Sequence, residues 1–102
     1  MDYRKLVRDK IPEIIKSRGD VPFTHIADEK EYEEALVCKL QEEVDECLAN
    51  PCAEEAADIL EVLRAICALK NISLDNIEEV RQQKSAERGG FEQRIILDKV
   101  IK

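Results

Sequence analysis

Apolar positions along this chain recur mostly at three- and four-residue steps, the period of a helix with one buried stripe. Leu36, Leu40, Val44, Cys47 and Leu48 form the clearest stripe. They predict a long helix over residues 29–49, with Asp28 as its N-cap. Asn50-Pro51 ends it, because the residue before proline is pushed out of the helical region. A second long helix is predicted from near Pro51 or Cys52 to about Lys70. Its apolar positions run almost all round: Ala56, Ala57, Ile59, Leu60, Val62, Leu63, Ala65, Ile66, Cys67 and Leu69. Such a helix belongs in the centre of a bundle. Asn71 serves as its closing turn residue. The short break between the two helices makes them an antiparallel hairpin.

The flanks carry weaker patterns. KLVRDKIPEII predicts a short helix capped by Asp9, with Pro12 tolerated in its first turn and Gly19 at its end. Residues 20–27, DVPFTHIA, hold Pro22 and no helical period, so they read as an extended connection. Ser73 is expected to cap a third main helix that runs to about Arg88, with Asp75 in the first turn favouring the dipole. Ile77 and Val80 should face inward, and Gly89-Gly90 should stop the helix. The tail FEQRIILDKVIK reads as extended. The chain shows no repeats, no low complexity and no interdomain linker. The expected fold is all-α, a single domain over 1–102, built on the hairpin with additional helices.

Composition sharpens this. The chain has 102 residues, 44% hydrophobic and 38% charged, with three Gly and three Pro. That suits one helical domain. Only 4% of residues are aromatic and Trp is absent, so the core of one copy is modest and burial against a second copy is expected. The net charge of −7 disfavours binding to a nucleic-acid polymer. A nucleotide differs, because Mg²⁺ can bridge an acidic pocket to a triphosphate. No apolar run approaches the roughly 18 residues of a membrane span, and MDYRKLVRDK lacks the apolar segment of a signal peptide. Cys38, Cys47, Cys52 and Cys67 form no C-x-x-C pair, which weakens a zinc reading. They read as reduced, small core residues of a cytoplasmic protein.

The acidic residues carry the candidate chemistry. KLQEEVDE places Glu42, Glu43 and Glu46 three and four residues apart, and EEAADIL places Glu55 and Asp58 three apart. These spacings put side chains on one helix face. Glu46 lies about one turn before the break and Glu55 about one turn after it, so they should sit at similar height on facing helices. Asp58 falls in the most apolar stretch of the chain, where a carboxylate is costly unless compensated. Neighbouring charges are mostly acidic, so a bound cation is the simplest compensator. Hard oxygen donors select Mg²⁺, or Mn²⁺, over Zn²⁺. The competing reading is a solvated acidic face, the expected state of Glu29, Glu31, Glu33 and Glu34. Glu54 and Glu61 read as solvated or ion-paired neighbours. His25, the one histidine, lies in the connection and reads as structural or exposed. A second cluster, KSAERGGF, offers Lys84 and Arg88 to phosphate oxygens. It reads equally as an ordinary helix C-terminus, where basic residues complement the dipole. Arg4, Lys5, Arg8 and Lys10 are similarly ambiguous.

Taken together, E-E-x-x-E at Glu42-Glu43-Val44-Asp45-Glu46, E-x-x-D at Glu55-Ala56-Ala57-Asp58, the opening KLVRDKIPEII and the closing KSAERGGFEQRI resemble the MazG-like, all-α nucleoside triphosphate pyrophosphohydrolases, and their phosphoribosyl-ATP pyrophosphohydrolase-like branch in particular. The resemblance spans nearly the whole chain. It implies a Mg²⁺-dependent enzyme that cleaves a nucleotide between the α and β phosphorus, releasing a monophosphate and pyrophosphate. It implies Glu42, Glu43, Glu46, Glu55 and Asp58 as the metal set. It also implies a homodimer or homotetramer whose helices combine into four-helix bundles. Glu43 or Glu46 is expected as the general base, and Lys84 and Arg88 as neutralisers of the leaving phosphates. Only eight residues separate Glu46 from Glu55, fewer than in many members; a tight hairpin accommodates this, and whether it removes a base-binding element, and so the substrate choice, is open. Two alternatives stand beside the enzyme. One is a non-enzymatic helical interaction domain with an acidic docking face. The other is a related hydrolase acting on a phosphoribosyl or non-nucleotide pyrophosphate.

Overall fold

The computed structural model of the chain describes residues 5–102. Arg4 lies outside the described residues. Four helices follow one another: α1 (Ile11–Ser17), α2 (Glu29–Ala49), α3 (Ala53–Leu69) and α4 (Leu74–Arg88). The described residues contain no strand, so the fold class is all-α. They divide into two compact units, one ending at Asn71 and the other spanning Ile72–Lys102.

In the first unit, α2 and α3 pack as the expected hairpin. Asp28 caps α2, its carboxylate accepting from the Glu31 amide at 2.9 Å. Cys52 precedes α3 in an extended conformation and contributes no side-chain cap. Asn71 follows α3 with φ 58°, the left-handed conformation that asparagine tolerates. An ion pair between Lys70 and Glu33 ties the end of α3 to the start of α2.

The helix α1 ends as a Schellman motif. The Asp20 amide donates to the Ile15 carbonyl and the Gly19 amide to Lys16, with Gly19 at φ 88°. Its start departs from expectation. Lys10, not Asp9, holds the N-cap position, and no side chain caps there. Pro12 explains why a cap matters less: it lacks one of the donors a cap would satisfy. Residues 20–28 form an irregular connection, as expected.

The core of the hairpin is small. Leu36 is 1% exposed and Val62 8%, and they are the only buried apolar side chains among the described residues. The apolar character of α3 all round suggested a bundle centre, yet Leu60 is 62% exposed. One partner helix covers one side of α3 and no more. The cysteines also depart from the core role expected of them. All four are free, but Cys38 and Cys52 are exposed and Cys47 and Cys67 half-buried.

In the second unit, the Ser73 hydroxyl accepts from the Asn76 amide at 3.3 Å and caps α4. Gly89 ends it at φ 82°, its amide donating to the Ser85 carbonyl. Ile77 and Val80 do not turn into a core as expected; both are exposed. The rest of this unit is an irregular tail and supplies no second helix to cover them. No described helix is long and apolar enough to cross a membrane.

Candidate metal centre

The hairpin seam changes character along its length. On α2, Leu36, Leu40 and Glu43 succeed one another at steps of four and three. On α3, Glu55, Asp58 and Val62 do so at steps of three and four. Toward the open end the seam is filled by Leu36 and Val62. Toward the turn the same two stripes present carboxylates. Antiparallel packing therefore brings Glu43 against Glu55 and Asp58, and one carboxylate oxygen from each lies within 4.8 Å of the others.

Glu43 is 6% exposed, the one fully buried charged side chain among the described residues. Its Oε1 lies 3.3 Å from Lys39 Nζ, one turn back on α2. Its Oε2 is buried with no hydrogen-bond partner, and so is Oε2 of Glu55. An unpartnered buried acceptor ordinarily costs about 1–3 kcal/mol, more when charged. Two such oxygens beside a third carboxylate make a cluster of hard oxygen donors. The residues present fit a hard divalent ion.

Asp58 differs from its expected state in two ways. Its side chain is 38% exposed, not buried. Its compensator is basic after all, since Arg8 Nη2 donates to Asp58 Oδ1 at 2.7 Å. Arg8 Nη1 also lies 3.7 Å from Glu61 Oε2. The local sequence hid this pair, because fifty positions separate Arg8 from Asp58. Lys39 was also missed, although its four-residue step to Glu43 is a legible ion-pair signal.

The remaining expected ligands stand beside this triad. Glu42 is half-buried and shared between two lysines, with Lys39 Nζ at 3.7 Å and Lys5 Nζ at 3.8 Å. Glu46 is exposed. Its carboxyl is held above the ordinary value, first by the charge of Glu43, then by desolvation, then by Glu42 and Glu55 and a hydrogen bond with Glu43. Glu46 thus feels the cluster without being one of the three converging groups. Lys84 and Arg88 lie on α4 in the second unit, both exposed. His25 is exposed and pairs with Glu31, its Nε2 2.9 Å from Oε1. Glu61 pairs with Arg64 at 3.6 Å as well as with Arg8.

Comparison with known proteins adds one relative. The chain is 41% identical over 54 residues to an uncharacterized protein of Mycolicibacterium smegmatis, a match covering 53% of this chain and 55% of that protein. The similarity therefore spans about half the length of each. No family model matches the chain. No solved structure matches it.

Proposed function

We propose that the chain is a Mg²⁺-dependent pyrophosphohydrolase, splitting a nucleoside triphosphate or related nucleotide pyrophosphate into the monophosphate and pyrophosphate. One observation carries this reading: the buried, unpartnered oxygens of Glu43 and Glu55 beside Asp58. In this proposal those three residues hold Mg²⁺, or Mn²⁺, with Glu42 and Glu46 adjoining them. The bound cation supplies charge neutralisation for phosphate oxygens. Glu46 is the general base. It is exposed, so water reaches it, and the neighbouring negative charges raise its affinity for a proton. A water oxygen bonds to the α-phosphorus while the bond from that phosphorus to the bridging oxygen breaks. Pyrophosphate leaves, and the water's proton passes to Glu46. The resemblance of the E-E-x-x-E and E-x-x-D segments to MazG-like enzymes supports the reaction class. Lys84 and Arg88 on α4 are candidate phosphate-binding residues on the resemblance of KSAERGGF alone. Exposed apolar side chains such as Leu48 and Leu60 support a homodimer or homotetramer completing four-helix bundles. Four free cysteines suit a cytoplasmic setting.

A second reading is a non-enzymatic helical domain with an acidic face. The pairs Lys39–Glu43 and Arg8–Asp58 favour it, because they already meet two of the three carboxylates. Glu46→Gln separates the readings. The hydrolase predicts unchanged helix content and a loss of pyrophosphate release of about 10²–10⁴-fold. Undiminished turnover in the folded variant would falsify the role of Glu46.

A further inference from the structure

A cavity of about 570 Å³ opens in the first unit. Its size falls within the range of small-molecule sites. It lies between the N-terminal segment, the irregular connection and the first turns of α2. Arg8 links it to the triad, since the same guanidinium lines the cavity and donates to Asp58. Lys5 lines it too and reaches toward Glu42 at 3.8 Å. The cavity thus has a basic end that faces Asp58 and Glu42. Its other walls are mixed: Leu6, Pro12, Phe23, Ile26 and Tyr32 give apolar and aromatic surface, and Asp9, His25 and Glu31 give polar surface.

Both cations are solvent-accessible, Arg8 firmly paired with Asp58 and Lys5 only loosely engaged. Arg8 and Lys5 side chains are 56% and 51% exposed, and the Lys5 contact is longer than a hydrogen bond. Arg8 also occupies Asp58 Oδ1, an oxygen that a cation at the triad would compete for. A guanidinium displaced from Asp58 retains its planar fork, the geometry that matches phosphate oxygens.

Resting on the hydrolase reading, we propose that Arg8 and Lys5 form the phosphate-binding end of the substrate cleft, and that the cavity behind them takes the nucleoside. Arg8 is a counter-ion that exchanges partners. It holds Asp58 in the metal-free protein and passes to the substrate's phosphates when a divalent cation claims the triad. The order of groups follows from the Arg8–Asp58 contact and the lining: triad carboxylates, then cations, then a wall that offers apolar and aromatic surface among polar groups. That is the order of metal, phosphate chain and base in a metal-bound nucleotide. The cleft is built from the opening KLVRDK and the FTHI connection, so no insertion in the hairpin is required for a base site.

The test is calorimetric titration of inorganic pyrophosphate in the presence of Mg²⁺, with the full chain and with Arg8→Gln, Arg8→Lys and Lys5→Gln. The Mg²⁺-induced rise in melting temperature is followed in each. Arg8→Gln is expected to keep its helix content and its Mg²⁺ response, and to bind Mg²⁺ at least as tightly as the native chain. Its pyrophosphate affinity should fall roughly ten- to hundredfold, the size of one lost charge-assisted hydrogen bond. Arg8→Lys should fall by less, keeping the charge without the fork, and Lys5→Gln should also weaken binding. Native pyrophosphate affinity in Arg8→Gln and Arg8→Lys, with the Mg²⁺ response intact, overturns the inference and leaves the hydrolase standing. Loss of the Mg²⁺ response in Arg8→Gln also overturns it, since Arg8 would then be a support for the triad. A native chain with no Mg²⁺ response overturns the hydrolase reading itself.

Discussion

Glu43 is where electrostatics and the proposed metal-binding role make opposite demands, so Glu43→Gln is the most informative single substitution. The carboxylate is buried, with Glu55 and Asp58 oxygens within 4.8 Å and Lys39 Nζ at 3.3 Å. At an effective dielectric constant of about 20, each like-charged pair at the 4.8 Å limit costs about 3.5 kcal/mol, while the lysine returns about 5. The net is a repulsion of about 2 kcal/mol in the metal-free protein, less whatever solvent screens at the half-exposed Asp58. Glutamine keeps the volume and removes the charge. The variant should therefore melt level with the native chain or up to roughly 10 °C higher in a chelating buffer. Adding Mg²⁺ should reverse the order. Binding to the folded state at a hundredfold excess over Kd stabilises by about 2.7 kcal/mol, worth roughly 10 °C or more in a domain of this size. Native protein should gain that rise and Glu43→Gln should lose most of it. The assay is a pair of melting curves by circular dichroism, with chelator and with Mg²⁺, on each protein. A native curve indifferent to Mg²⁺ refutes the metal centre. A variant markedly less stable in chelator refutes the electrostatics, and would mean that the Lys39 pair outweighs the repulsion.

Other consequences can be checked alongside. Glu46 is raised above the ordinary value of 4.5, so its ionisation opposes folding. In chelator, Glu46→Gln should match native stability at pH below that value and exceed it increasingly as pH rises through the raised value; a constant difference across pH would contradict this. Glu78 is lowered, chiefly by the hydrogen bond from Arg81, so its contribution is present above the ordinary value and lost as pH falls through the lowered one. On so exposed a pair the effect of Glu78→Gln should be small, visible as slight fraying of α4 by amide exchange at neutral pH and absent in acid. The exposed apolar side chains of the hairpin predict association at micromolar concentration, with Leu60→Glu shifting it toward monomer; sedimentation showing a folded native monomer would remove that expectation.

The hairpin was legible because its signals are local. Asp28, Asn50-Pro51 and Asn71 bound two helices whose stripes repeat at helical steps, and each acts within a turn of its own position. The five acidic residues stood out for the same reason, their three- and four-residue spacings on facing helices; of these the structure brings Glu43, Glu55 and Asp58 together. Two things were not legible. Which of the five acidic residues is buried depends on the rotation of each helix about its axis, and that placed Glu43 inside and left Asp58 half-exposed. The partner of Asp58 comes from fifty positions away, and no spacing rule reaches that far. Asp9 misled for a different reason: it is a good cap by type, but the proline at the start of α1 had already removed a donor.

The most direct test of the proposed hydrolase activity is product analysis on the full chain, using ribo-, deoxy- and modified nucleoside triphosphates with Mg²⁺ or with excess chelator in parallel. The carboxylate centre predicts that at least one triphosphate yields monophosphate and pyrophosphate in equal amounts with Mg²⁺, and none with chelator. Release of orthophosphate instead of pyrophosphate, turnover that survives chelation, or no turnover across the panel would contradict it.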